Sequence, residues 1–295
     1  MMSVPYSQQI SQYLGNHTYV KVGGNWETVE DVRIKDGGTW RDTKAVYVKE
    51  GGTWRTVHEG DFFLFNYVDG SNSTSTLNLS SILSNAGYSS GAIKGAITIN
   101  CKRRRVNLGN YSGKVYLRVN SGKKISGAGG NGGNRGGQNG QDGQDALYSG
   151  GTPFILDNAG IIAGGGGGGG GGKNDQCTYQ NTYYYGCMKG NQCEGTDQQF
   201  SQALGGGGGG GAGYPAGQGK HGGNNGTETG GGGGGGSNGC GSQNGGKGGN
   251  LGQNGQGATN GGSGGTKGRA VTGINHRYAQ VGSNDGDLRG GTQNT

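Results

Sequence analysis

The sequence predicts a mostly β N-terminal part followed by a packed bundle of left-handed polyglycine II helices, with few or no α-helices. Three observations lead there. Residues 19–59 carry a 14-residue repeat with strand-like alternation. Glycine supplies 78 of the 295 residues, and 63 of these lie beyond residue 126, where roughly 7% is ordinary. Hydrophobic residues make up only 28%, too few for the second part to be held by an oily core.

The repeat is set by Trp26, Trp40 and Trp54, each preceded at the same distance by Gly23-Gly24, Gly37-Gly38 and Gly51-Gly52. Lys21, Lys35 and Lys49 keep the register, as do Val20, Ile34 and Val48. Each unit reads as strand, turn and tryptophan-led strand, because a Gly-Gly pair supplies the positive φ angles of a tight hairpin turn. One unit cannot bury its apolar face, whereas three stacked units can begin to. A packing role for the three tryptophans is therefore favoured over direct ligand contact, and residues 1–60 form a first module.

Residues 61–126 read as a second β domain. Phe62-Phe63-Leu64-Phe65, residues 95–100 and residues 114–119 are strand candidates separated by Ser-, Asn- and Gly-rich loops. The run Lys102-Arg103-Arg104-Arg105 has no interleaved aromatics. It is weak as a nucleic-acid patch and reads as a solvated strand edge, so no nucleic-acid partner is expected.

Residues 127–268 contain the uninterrupted glycine runs 164–172, 205–211 and 230–236. A flexible linker is disfavoured because Ile161-Ile162-Ala163 and Ala203-Leu204 place apolar anchors at the edges of two runs. Collagen fails because the three-residue glycine period breaks at Asn139 and the chain has 3 prolines. Extended left-handed helices remain. They have three residues per turn and no internal hydrogen bonds, so bare glycine chains can approach and satisfy one another's backbone groups. Residues 269–295 form a polar tail that can return to the β domain.

The stretch from Asn158 through Ile161-Ile162-Ala163 into the nine-glycine run resembles the glycine-rich motifs of phage tail-fibre tip adhesins of T-even-like phages. The resemblance covers roughly residues 120–268. It implies a polyglycine sandwich whose loops contact a bacterial surface receptor, an outer-membrane protein or a surface glycan. It also implies a virion location at the distal part of the tail, with the N-terminal part docked to a fibre or baseplate protein. The alternative is a structural virion component (baseplate, tail or decoration protein) without a receptor. The β repeats are compatible with a homotrimer.

On the rod reading, function lies in the inserts. The largest, 173–204, holds Tyr179, Tyr183, Tyr184, Tyr185, Met188 and Phe200 without helical or strand periodicity, and tyrosine-rich loops suit recognition. Tyr214, His221 and Glu228 mark secondary loops. Trp26, Trp40, Trp54, Ile161 and Ile162 are expected to be structural. Cys177, Cys187 and Cys193 do not follow zinc spacing, and two of them are compatible with a loop-closing disulfide.

Net charge is +7, which admits acidic partners without choosing among them. The N-terminus lacks a signal-peptide stretch and no segment approaches a membrane span, so a soluble virion protein is expected. Scattered histidines, Asp142 and Asp145 in a glycine-rich loop, and no phosphate-binding Lys-Ser/Thr after a glycine run give no catalytic constellation. A non-enzymatic protein without cofactor or metal is expected.

Overall fold

The computed structural model describes residues 19–22, 25–28, 32–43, 45–59, 62–186, 192–237, 243–273, 278–281, 287–289 and 292–293. The repeats form three separate two-stranded hairpins: β1 (Tyr19–Val22) with β2 (Asn25–Thr28), β3 (Arg33–Asp36) with β4 (Thr39–Asp42), and β5 (Ala45–Glu50) with β6 (Thr53–Glu59). Gly37-Gly38 and Gly51-Gly52 all have positive φ, as the turn requires. Across the turn Lys35 pairs with Trp40 and Lys49 with Trp54, and each ammonium lies over the indole, at 5.8 and 5.7 Å.

Stacking does not bury these tryptophans. Trp40 and Trp54 are 63% and 65% exposed, and Ile34 and Tyr47 are exposed beside them. A two-stranded sheet with no third strand has nothing to close over either face. The side chain of Trp26 lies outside the described residues.

The next part is a stack of parallel coils. The first coil holds β7 (Phe62–Asp69) and β8 (Leu77–Asn78), followed by α1 (Leu79–Asn85). Leu79, Ile82 and Leu83, spaced i, i+3 and i+4, form the buried side of α1. The second coil holds β9 (Ala92–Ile99), β10 (Lys102–Arg104) and β11 (Val106–Asn107). The third holds β12 (Gly113–Val119), β13 (Lys124–Ser126) and β14 (Leu147–Tyr148). The fourth begins with β15 (Phe154–Asn158) and β16 (Ile161–Ala163). A separate hairpin of β17 (Asp175–Gly186) and β18 (Gln192–Ala203) intervenes before β19 (Val271–Thr272) completes that coil. The last coil holds β20 (Tyr278–Val281), β21 (Asp287–Arg289) and β22 (Thr292–Gln293).

Coil upon coil, these strands make three parallel sheets, β7-β9-β12-β15-β20, β10-β13-β16-β21 and β8-β11-β14-β19-β22. Register stacks like residues into columns. Ile97, Leu117 and Leu156 form one, Ile125 and Ile162 a second, and Val106, Leu147 and Val271 a third, all fully buried. Each such side chain contributes roughly 1.5–3 kcal/mol of burial. Gly95 permits a close approach in the stack, since a Cβ there would overlap the Phe65 ring. The sheets thus draw strands from well beyond residue 126, and the chain leaves them twice, for 127–145 and for 164–270.

The run 102–105 is not a solvated edge throughout. Arg103 is buried and forms a two-point pair with Asp69, Nε to Oδ2 at 2.6 Å and Nη2 to Oδ1 at 2.5 Å. Arg105 lies over the Tyr148 ring at 5.6 Å. The coil curvature turns the middle of this strand inward, where an arginine needs a carboxylate partner.

Both excursions build one hydrogen-bonded lattice. In the run 164–172, successive N–H groups donate in turn to 138–145, 205–213 and 252–257: Gly165 to Gln144, Gly166 to Ala212, Gly167 to Gln253, then Gly168 to Gln141, Gly169 to Gly209, Gly170 to Gln256. Its carbonyls accept with the same three-residue period from 262–268, 127–137 and 243–250. Six neighbours therefore surround it. The run 205–213 is likewise surrounded, by 243–250, 221–227, 127–137, 164–172, 230–236 and 215–220. The three-residue period is that of a polyglycine II helix.

The bonding closes into three layers. The outer layers are 138–145, 127–137, 215–220 and 252–257, 243–250, 230–236; the middle layer is 262–268, 164–172, 205–213, 221–227. Neighbour number sets where glycine is required. The two interior runs are glycine throughout apart from Ala212 at one end. The central outer runs, with four neighbours, carry a side chain at every third position: Ala128, Asn131, Asn134 and Asn244, Lys247, Asn250. Corner run 138–145, with three neighbours, needs glycine only at Gly140 and Gly143.

Candidate functional site

The lattice has a near end and a far end relative to the coils. At the near end Gly127 N–H donates to Ala163 and Gly164 N–H to Arg289, both in β strands. Hydrogen-bond register places Gly136, Gly172, Gly206, Gly235 and Gln243 together at the far end. The turn holding Arg135, the base of the β17–β18 hairpin and the turn at His221 all lie there. At roughly 3.1 Å per residue, a nine-residue run separates the two ends by about 28 Å.

The hairpin is the largest feature of the far end. Its twelve-residue strands pair antiparallel from Asp175↔Ala203 to Gly186↔Gln192, so the expected irregular loop is a regular two-stranded ribbon. Its base is tied to the lattice where Gly205 N–H donates to Asn174 Oδ1 at 2.9 Å. Tyr179 and Tyr183 share one face, and the Tyr183 ring lies over Gly195, where a Cβ would come within 2.7 Å of it. Phe200, opposite Thr178, is on the other face. These three aromatics are 51%, 50% and 67% exposed.

Tyr184 and Tyr185 belong to β17, but their side chains are not among the described ones, and Met188 lies outside the described residues. The register sets Cys177 opposite Ser201 and Cys193 opposite Tyr185. Eight residues of strand, roughly 26 Å, separate the two positions, so these two cysteines cannot form the loop-closing disulfide. Cys187 lies outside the described residues.

The remaining sequence-derived residues divide between the two ends. His221 is exposed at the far end, in a turn with φ 42°. Tyr214 and Glu228 are at the near end. Glu228 receives Lys102 Nζ on Oε1 at 3.0 Å and Lys124 Nζ on Oε2 at 3.1 Å, and Lys124 is buried. The Lys102 hydrogen bond, then those of Lys124, hold its carboxyl below the usual glutamate range. Lys124 Nζ also lies 5.9 Å over the Tyr214 ring. Lys102, Lys124, Tyr214 and Glu228 thus join coils to lattice, while Tyr179, Tyr183, Phe200 and His221 are brought to the open end. Ile162 is fully buried and Ile161 packs against Ala163, Ala212 and Leu251 where the first interior run begins.

A family model described as the phage tail fibre adhesin Gp38 matches residues 65–293. The chain belongs to this family of phage tail fibre adhesins. It is accordingly a virion component, in the distal part of the tail or tail fibre. It is similar to a crystal structure of the gp37-gp38 adhesin tip complex of the bacteriophage S16 long tail fiber, with 21% identity and a TM-score of 0.44 over 79% of this chain and 84% of that one. No curated protein matches the chain. The Trp hairpins β1–β6 precede the region matched by the family model.

Proposed function

We propose that this adhesin binds a bacterial surface receptor, an outer-membrane protein or a surface glycan, through the far end of the lattice, without catalysis. The observation that carries the reading is the β17–β18 ribbon: half-exposed Tyr179 and Tyr183 and exposed Phe200 on a two-stranded element rooted in a rigid lattice. Large aromatics held by a preordered scaffold give contact area at low entropic cost. The opposite end is committed to the protein's own coils through Glu228. The exposed Trp40 and Trp54 hairpins suit docking to a phage fibre protein, which would turn the lattice outward.

The test is adsorption of fluorescently labelled full-length protein to host cells, with Tyr179, Tyr183 and Phe200 changed together to Ala. Central aromatic contacts are worth about 2 kcal/mol or more each, so affinity should fall at least tenfold. Undiminished binding by the triple variant would remove the hairpin from the receptor contact. No binding by either protein would favour a structural virion role.

A further inference from the structure

The outward edges of the lattice are closed by Asn and Asp side chains. Ser263, Thr266 and Arg269 N–H groups donate to Oδ1 of Asn139, Asp142 and Asp145 at 2.8, 2.7 and 2.7 Å. Gln218 N–H donates to Asn131 and Lys267 N–H to Asn254 in the same way. Three residues before Asn131 stands Ala128, and three before Gln218 stands Pro215, which has no N–H to cap. The side chains at these positions therefore answer the donor opposite.

Between the runs 243–250 and 230–236 this device is interrupted. Gly231 N–H donates to Asn250 Oδ1 at 3.0 Å, and Ser237 N–H to Asn244 Oδ1 at 2.8 Å. Midway, the antiparallel register sets Gly234 N–H opposite residue 247, which is an exposed lysine. Lysine offers no acceptor, and among the described residues Gly234 N–H has no partner. Gly233 and Gly236, on the outward side of this corner run, present no side chain to the gap.

We propose that this gap is an anion site in which a carboxylate or phosphate oxygen takes the place of the missing Asn oxygen. It accepts from Gly234 N–H and pairs with the Lys247 ammonium. An unpaired donor beside a cation is the arrangement that favours an anionic oxygen. The site lies on the flank of the lattice, one residue from the far-end position Gly235, and its test does not depend on the receptor reading.

The experiment is amide NMR of the labelled full chain, titrated separately with inorganic phosphate and with glucuronate. The Gly234 amide should shift saturably with at least one of them. Lys247→Asn should abolish the shift, complete the row of caps and slow exchange of that amide by about five- to tenfold. Lys267→Asn, which changes a lysine whose own N–H is already capped, should leave the titration unchanged. A response to phosphate alone assigns phosphorylated ligands, and a response to glucuronate alone assigns uronic acids. No shift with either anion, or a shift that survives Lys247→Asn, or one equally lost in Lys267→Asn, overturns the proposal.

Discussion

Gly168→Ala and Gly233→Ala differ by one methyl each, yet the lattice gives them opposite outcomes. Gly168 is in an interior run: its N–H donates to Gln141 at 2.8 Å, its carbonyl accepts from Gly265 at 2.7 Å, and a Cβ would overlap the Asn131 carbonyl. Admitting the methyl means pushing apart runs that have no flexible side chains to yield. Two buried backbone groups then lose their partners, at about 1–3 kcal/mol each, and neighbouring levels open as well. The expected loss is roughly 3–6 kcal/mol, a large share of the 5–15 kcal/mol that holds a typical domain. At Gly233 a Cβ would meet only Asn224 Nδ2, at 3.4 Å. There alanine should be neutral or stabilising by up to about 1 kcal/mol, through the unfolded chain. Chemical denaturation read by hydrogen exchange of the glycine amides measures both. If Gly168→Ala unfolds within about 1 kcal/mol of the wild type, the packing rule is wrong.

Other consequences follow from the coils and the joint. Asp69→Ala strands the buried Arg103 guanidinium and should cost about 3–5 kcal/mol in denaturant unfolding; a loss below 1 kcal/mol would mean water reaches the pair. The Glu228 carboxyl is held low by Lys102 and Lys124, so its contribution is present above the unfolded-state value near 4.3 and fades as pH falls through the lower folded value. Glu228→Gln should therefore melt below the wild type at neutral pH and converge with it in acid. Burial, followed by Asp69, pushes the Cys101 thiol up to about 11. At pH 8, peptide mapping should find Cys101 unalkylated by iodoacetamide in the native protein and alkylated in denaturant.

The sequence showed some layers of this molecule and hid others for physical reasons. The glycine lattice was legible because three-residue bonding leaves a direct compositional trace: glycine at every position inside, two in three on a central outer run, and as few as one in three at the corner 138–145. The GGxW hairpins were legible from their turns, but exposure of Trp40 and Trp54 was not, since strand alternation does not say whether a face is covered. The ribbon 175–203 carries no strand signal in the sequence because both of its faces meet solvent, which removes the period-two pattern that one buried face creates. Helix α1 carried its signal in Leu79, Ile82 and Leu83, yet seven residues among serines are too short to stand out. The parallel coils were hidden because β14 and β19 are two-residue strands reached only after long excursions into the lattice. Glu228 reads from the sequence only as a loop residue; its ties to Lys102 and Lys124 span 126 and 104 positions, and no local pattern records them.

The receptor proposal has a rigid lattice present the ribbon to a bacterial surface. Its most direct test replaces residues 175–203 with a short glycine turn and measures both host-cell binding and hydrogen exchange of the interior runs. Binding should disappear while the amides of 164–172 and 205–211 keep their protection. Cell binding that survives the replacement, with the lattice equally protected, would contradict it.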